Sequence, residues 1–268
     1  MAEADLPLSS DASILMLSDL ETFTPPARVI SKHRIVGFDN RDARARPFNL
    51  LRTSFAKKLN EDGHRLVGIT SATPAAGKSF LSMNLASSLA RVVEEPVFLV
   101  DLDIRRASLA EEIGLAPERG IESFLDGSID DLAAIGRRIE GTTLAVFPAV
   151  SRARNTAELL AGERYMHMIE TLRDRSEASI ILFDLPPAFA SDDAMISLAQ
   201  LDGYVLVVDS GKTTRRHVQD VLAMLQPTPC IGSILNRYRG GLGDSYGYGY
   251  GGPDYGRYYD RPEPEAGA

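Results

Sequence analysis

Six short runs of this chain are apolar almost throughout: RLVGITS (65–71), PVFLVDLD (96–103), LAVFPA (144–149), SIILFDLP (179–186), GYVLVVDS (203–210) and CIGSILNR (230–237). An unbroken apolar run, as opposed to an alternating one, suits a strand covered on both faces, so the pattern predicts a mainly parallel sheet. Helical stretches around 78–93, 155–175 and 213–226 lie between the runs and supply the crossovers that parallel strands require. Ahead of the first run, Pro47 opens a further helix, proline being tolerated at the first helical position. Phe48, Leu51, Phe55 and Leu59 follow at helical spacing and predict one apolar stripe, read as core packing. The expected fold is α/β, a mainly parallel sheet flanked by helices.

The two ends break the pattern. Residues 1–45 are polar, contain proline and are weakly periodic; they are expected as a mobile N-terminal arm, with a short strand within ARVISKHRIVGF (27–38). The segment 240–268, GGLGDSYGYGYGGPDYGRYYDRPEPEAGA, has almost no aliphatic residue to bury and is expected to be disordered. Residues 46–239 are left as one folded domain, and a chain of 268 residues suits one domain with tails.

A net charge of −8 argues against nucleic acid as a partner, because phosphate binding favours a basic face. The basic run Arg41–Lys58 reads as a solvated helix face, with anionic lipid or an acidic partner as the alternative. Cys230 is the single cysteine; it excludes an intrachain disulfide, fits a reduced compartment and reads as a small core residue. The N-terminus lacks the basic and apolar regions of a signal peptide, and no stretch approaches the roughly 20 apolar residues of a membrane helix. A cytoplasmic protein is expected, reaching the inner face of the membrane only through a partner.

Candidate chemistry starts where the first apolar run ends. In RLVGITSATPAAGKSFLSMN (65–84) a strand passes through a turn into Gly77-Lys78-Ser79 at the start of a helix. That is the setting of a P-loop, in which backbone N–H groups at a helix start cradle phosphate oxygens. Lys78 would hold the β- and γ-phosphates and the Ser79 hydroxyl would bind Mg²⁺. Ala72 stands where the full pattern has its first glycine.

Carboxylates follow at two other strand ends. FLVDLDIRR puts Asp101 and Asp103 at the end of the second run, on one side by the period of two, and ILFDLPP puts Asp184 at the end of the fourth. Ligands of open α/β sheets bind beyond the carboxyl ends of the strands, so these residues should converge on the P-loop. Asp103 and Asp184 are placed to hold Mg²⁺ directly or through water, leaving Asp101 as a candidate base toward a hydroxyl such as tyrosine's. Asp192 and Asp193 are read either as charge near the site or, more simply, as helix N-caps, and Arg105 either as a phosphate or tyrosine contact or as a solvated strand exit.

Together SATPAAGKS with Asn84-Leu85-Ala86, the D-x-D-x-R of Asp101, Asp103 and Arg105, and the D-x-P-P of Asp184, Pro186 and Pro187 resemble the bacterial protein-tyrosine kinases of polysaccharide export and capsule assembly. NTAELLAG (155–162) and ILNR (234–237) are similar to further family segments, and the resemblance covers roughly 46–239 and the tail. It implies ATP and Mg²⁺ as cofactors, Ala76, Gly77, Lys78, Ser79, Phe80 and Asn236 as the nucleotide-binding set, and Ser79, Asp103 and Asp184 at the metal. It further implies that Tyr246, Tyr248, Tyr250, Tyr255, Tyr258 and Tyr259 are autophosphorylation sites. The implied partners are a membrane-embedded polysaccharide co-polymerase or chain-length protein, further copies of the chain and a phosphotyrosine phosphatase. Ala75 stands where the family often has glycine, and of its E-x-x-R-x-x-R oligomerisation motif only Arg52 is present, with Arg46 and Asn49 at the other two positions. Two alternatives stay open: an ATP-binding scaffold of the export machinery, and a partitioning-type ATPase, whose signature lysine position is Thr73 here.

Overall fold

The computed structural model describes residues 15–39, 41–150, 155–174 and 179–238. The tyrosine cluster at 246–259 lies outside them. Eight strands among these residues form one sheet: β1 (Glu21–Phe23), β2 (Leu66–Ser71), β3 (Val97–Asp101), β4 (Arg137–Ile139), β5 (Leu144–Phe147), β6 (Ile180–Asp184), β7 (Gly203–Asp209) and β8 (Cys230–Asn236). Their order is β1-β4-β5-β3-β6-β2-β7-β8, and every neighbouring pair is parallel except β4 with β5. The six apolar runs are six of these strands, and the mainly parallel sheet is as expected.

Alternate residues of each central strand feed two cores. Phe98, Val100, Ile181, Phe183 and Leu206 face one side, where α7 (Glu163–Asp174) supplies Tyr165, Met168 and Leu172. Val67, Ile69, Val97, Leu99 and Val207 face the other, covered by α2 (Arg46–Asp62) and α3 (Lys78–Leu89). Phe48, Phe55 and Leu59 of the α2 stripe are buried there with Leu51 partly buried, so the stripe is core. At roughly 25 cal/mol per Å² of apolar area removed from water, this two-sided burial is the main force holding the sheet between its helices. The predicted helix at 155–175 is two, α6 (Thr156–Ala161) and α7, broken at the extended Gly162.

Three expectations are corrected. The segment 27–38 is not a strand: Ala27–His33 is helix α1, ended by Arg34 in the left-handed region, and the nearby strand is β1. Of the expected mobile arm, residues 1–14 lie outside the described residues, whereas the part from Leu15 to Ala45 carries structure and buries Leu15, Leu20, Ile35, Val36 and Ala45. Their apolar positions are too scattered to show a period, because the segment lies across the other elements as a strap. Finally, β8 is an edge strand paired only with β7, so Gly232, Ser233 and Leu235 are exposed and Cys230 is half-buried, not a full core residue. The shorter helices α4 (Leu109–Ile113), α5 (Ile121–Leu125) and α8 (Asp193–Leu198) complete the loop side of the sheet, with α9 (Arg215–Met224) as the predicted last crossover.

Candidate nucleotide site

The strand order brings the three motif-bearing strands side by side, β3-β6-β2, with their carboxyl ends together. After β2 the chain turns through Ala75, at φ 60, and Gly77, at φ 91, into α3. Glycine bears the left-handed conformation freely, whereas alanine does so at a cost of about 1–2 kcal/mol. Lys78, Ser79 and Phe80 are the first three residues of α3, so their N–H groups belong to the turn that lacks intrahelical acceptors. This is the anion-binding end of the helix dipole. Asn236 at the end of β8 donates from Nδ2 to the Ala76 carbonyl at 2.8 Å, fixing the turn from across β7. The Phe80 side chain, expected in the nucleotide-binding set, packs edge-on against Phe48 of α2 at 5.8 Å; only its backbone sits on the phosphate turn.

Lys78 is buried, with Nζ 3.5 Å from Asp103 Oδ2. Asp101 and Asp184 are in register on adjacent strands, both fully buried. Asp101 accepts from the N–H groups of Asp103, Ser108 and Leu109, so it ties the β3–α4 loop. Burial and then the neighbouring Asp184 raise its pKa well above the ordinary carboxylate value. Asp184 is pushed up to about 6 by burial, with the Lys78 charge and the Ser79 and Ser82 hydroxyls pulling it back. One Asp184 oxygen accepts from Ser82 Oγ at 2.9 Å; the other, Oδ2, is buried without a hydrogen-bond partner.

A buried carboxylate oxygen with no donor is the natural ligand of a hard cation. Among the described residues no three His, Cys, Asp or Glu side chains converge as a ready metal cage. Mg²⁺ keeps several waters and takes phosphate oxygens alongside one or two carboxylates. The residues present therefore fit Mg²⁺ with a nucleotide phosphate, with Asp184, Asp103 and Ser79 at hand for the cation.

Several neighbours were not legible in advance. Ser82, one turn past Ser79, holds Asp184 from α3. Asp193 is not a helix cap: it is buried and takes Arg105 Nε at 2.7 Å and Thr156 Oγ1 at 2.9 Å. Tyr165 and Tyr204 are buried core residues. Glu112 of α4 also has a buried oxygen, Oε2, without a partner. Burial first, then Asp184 and Glu111, push its pKa up to about 8. A carboxyl raised in this way keeps its proton in the folded state where the unfolded chain has lost it, so stability falls as pH rises from about 4.5 to about 8. Glu112→Gln should remove that fall and raise the melting temperature at pH 8.5 by about 4 °C. Thermal melts of both proteins at pH 5 and 8.5 check it, and an unchanged pH dependence in the variant would contradict the assignment.

Fold and site define a P-loop nucleotide-binding α/β domain. No protein-family model matches the chain. It is 30% identical to EpsB of Ralstonia nicotianae over 230 residues, 81% of this chain and 29% of that protein. It is 32% identical to the succinoglycan biosynthesis transport protein ExoP of Rhizobium meliloti over 209 residues, 76% of this chain and 26% of that protein. The chain thus spans under a third of these longer relatives. It is 30% identical to the tyrosine-protein kinase CpsD of Streptococcus pneumoniae over 197 residues, 71% of this chain and 82% of CpsD. The kinase domain of the Escherichia coli tyrosine kinase ETK superimposes with a TM-score of 0.70 at 27% identity, covering 80% of this chain and 84% of that one. The chain belongs to the bacterial tyrosine-protein kinase family.

Proposed function

We propose that this chain binds ATP with Mg²⁺ and transfers the γ-phosphoryl group to tyrosine hydroxyls, those of its own cluster Tyr246, Tyr248, Tyr250, Tyr255, Tyr258 and Tyr259 included. The observation that carries the reading is the meeting of Lys78, Asp103 and the half-unpartnered Asp184 at the P-loop. Mg²⁺ in such sites neutralises charge on the transferring phosphoryl group. The chain's own part is positioning: the α3 amides and Lys78 grip the phosphates, and Ser79, Asp103 and Asp184 face the cation. Asp101 is the candidate base, and its raised pKa suits proton acceptance. Its full burial requires the β3–α4 loop, which now donates to it from Ser108 and Leu109, to shift as a tyrosine enters.

The name of ExoP, a succinoglycan biosynthesis transport protein, supports a role in exopolysaccharide or capsule-type polymer synthesis and export. In this reading a membrane-embedded co-polymerase is the partner, a phosphatase the counterpart and further copies of the chain are substrates. Among the described residues no helix is long and apolar enough to cross a membrane.

Phosphotyrosine mapping by mass spectrometry after incubation with ATP and Mg²⁺ tests the reading. Tail phosphotyrosine in the wild type and none in Lys78→Met or Asp101→Asn is expected. ATP binding without phosphotyrosine, with or without a co-polymerase fragment, would leave a nucleotide-dependent scaffold in its place.

A further inference from the structure

The Asp193 carboxylate joins three separate segments of the loop side. Arg105, on the β3–α4 loop, grips it with both Nε (2.7 Å to Oδ2) and Nη2 (3.3 Å to Oδ1). Thr156, at the start of α6, donates to the same Oδ2 at 2.9 Å. Asp193 itself opens α8, at the end of the loop that follows Asp184. That loop is braced on the P-loop strand by Thr70 Oγ1 to the Pro186 carbonyl, Ala188 N–H to the Ser71 carbonyl and Phe189 N–H to the Ala72 carbonyl. The Arg105–Asp193 pair thus ties the loop after β3 to the loop after β6, the adjacent strands that carry Asp101 and Asp184.

The asymmetry of this pair is informative. Asp193 is 1% exposed, while the Arg105 side chain is 43% exposed. Burial alone would raise the Asp193 pKa, yet the hydrogen bonds from Arg105 and Thr156 hold it below the ordinary value, so the carboxylate stays charged. A guanidinium has five N–H donors in a rigid fork, and this one uses one edge on Asp193. Its Nη1 has no hydrogen-bond partner among the described residues, and the Asp192 and Glu158 carboxylates add to the field on the guanidinium beside Asp193. An arginine anchored through one edge presents the other with little rotamer entropy left to lose, a condition for stabilising charge that develops only during a reaction.

We propose that Asp193 is a positioning residue for phosphoryl transfer: it holds Arg105 so that the free guanidinium edge meets the phosphoryl group in flight. The inference rests on the nucleotide reading of the site and adds two residues to it. A purely structural clip would steady ground-state and transition-state complexes alike, whereas a preset donor favours the transition state.

The test compares Mg–ADP with Mg–ADP–aluminium fluoride, a mimic of the transferring phosphoryl group that needs no tyrosine acceptor, on the full chain. Asp193→Asn and Arg105→Ala should each weaken the aluminium fluoride complex by about 30-fold and ADP binding by less than about threefold. The double variant should be no worse than either single one, since both remove the same donor. Asp193→Glu should recover part of the loss. Thr156→Val, which removes only the second anchor, should lose about threefold and serves if Asp193→Asn does not fold. Equal losses for ADP and the mimic, full binding in Arg105→Ala, or losses that multiply in the double variant would overturn the proposal, as would a wild type that does not bind the mimic. A wild type that binds the mimic but makes no phosphotyrosine would sink the kinase reading and leave Asp193 in its role toward phosphate.

Discussion

Lys78→Met is expected to lower phosphotyrosine formation by about 10³-fold while the chain stays folded. Lys78 is the first residue of α3, buried, and forms an ion pair with Asp103 at 3.5 Å. Losing one preorganised donor to transition-state charge typically costs about 10²–10³-fold. Here a full positive charge is lost beside the buried carboxylates of Asp101, Asp103 and Asp184. Without it, Asp184 loses the charge that holds its pKa down, so that carboxyl takes a proton more readily and holds a cation less well. Nucleotide affinity should therefore fall together with the rate. Methionine keeps the length of the buried stem, which is why the fold should survive. Initial rates of phosphotyrosine formation and a thermal melt decide the matter; a variant within threefold of the wild-type rate would remove Lys78 from the machinery.

Asn84→Ala is expected to cost about 4 kcal/mol and to lower the melting temperature by about 10 °C. Asn84 is fully buried in α3, and its whole amide is used. Oδ1 accepts from the Val36 and Gly37 N–H groups at 2.8 and 3.1 Å, and Nδ2 donates to the Phe80 and Arg34 carbonyls at 2.9 and 3.4 Å. Alanine would strand two buried donors on the strap, at about 1–3 kcal/mol each. The strap cannot shift inward to compensate: a Cβ on Gly37 would lie 2.0 Å from Ser87 Oγ and 2.5 Å from the Asn84 carbonyl. Asn84→Asp keeps the acceptor but aims a second oxygen at two carbonyls, so it should be at least as damaging at neutral pH and recover in acid. Hydrogen exchange at Val36 and Gly37 would show the strap loosening first. A melt of Asn84→Ala within 2 °C of wild type would mean that the strap is held by Ile35 and Val36 packing alone.

Asn84 also shows where reading the chain stops. It is visible in the sequence as part of the segment after the P-loop, but its partners lie 47 and 48 residues earlier, in a segment with no periodic pattern to announce it. Asp193 is a similar case, since an Asp before a short helix is ordinarily a cap, and only the placement of Arg105, 88 positions away, makes it a buried anchor. The Cys230 run was misjudged for the opposite reason. Its apolar character is real, but composition does not say whether a strand ends up inside the sheet or at its edge, and β8 has a neighbour on one side only.

The sequence by itself determined six of the eight strands among the described residues, the stretches that form α2, α3, α6, α7 and α9, and the phosphate site's raw materials. Each depends on local physics: apolar runs that need cover on both faces, a Gly-Lys-Ser at a strand-to-helix turn, and carboxylates at strand ends. Only the tertiary structure decided that β3, β6 and β2 lie side by side, which turns Asp101, Asp103, Asp184 and Lys78 from separate motifs into one charged cluster. It alone decided that residues 34–37 are pinned to α3, that Ser82 holds Asp184, and that Asp193 is buried beneath Arg105. The reason is that strand order and strap docking are set by burial summed over the whole sheet, and no local window of sequence contains that sum.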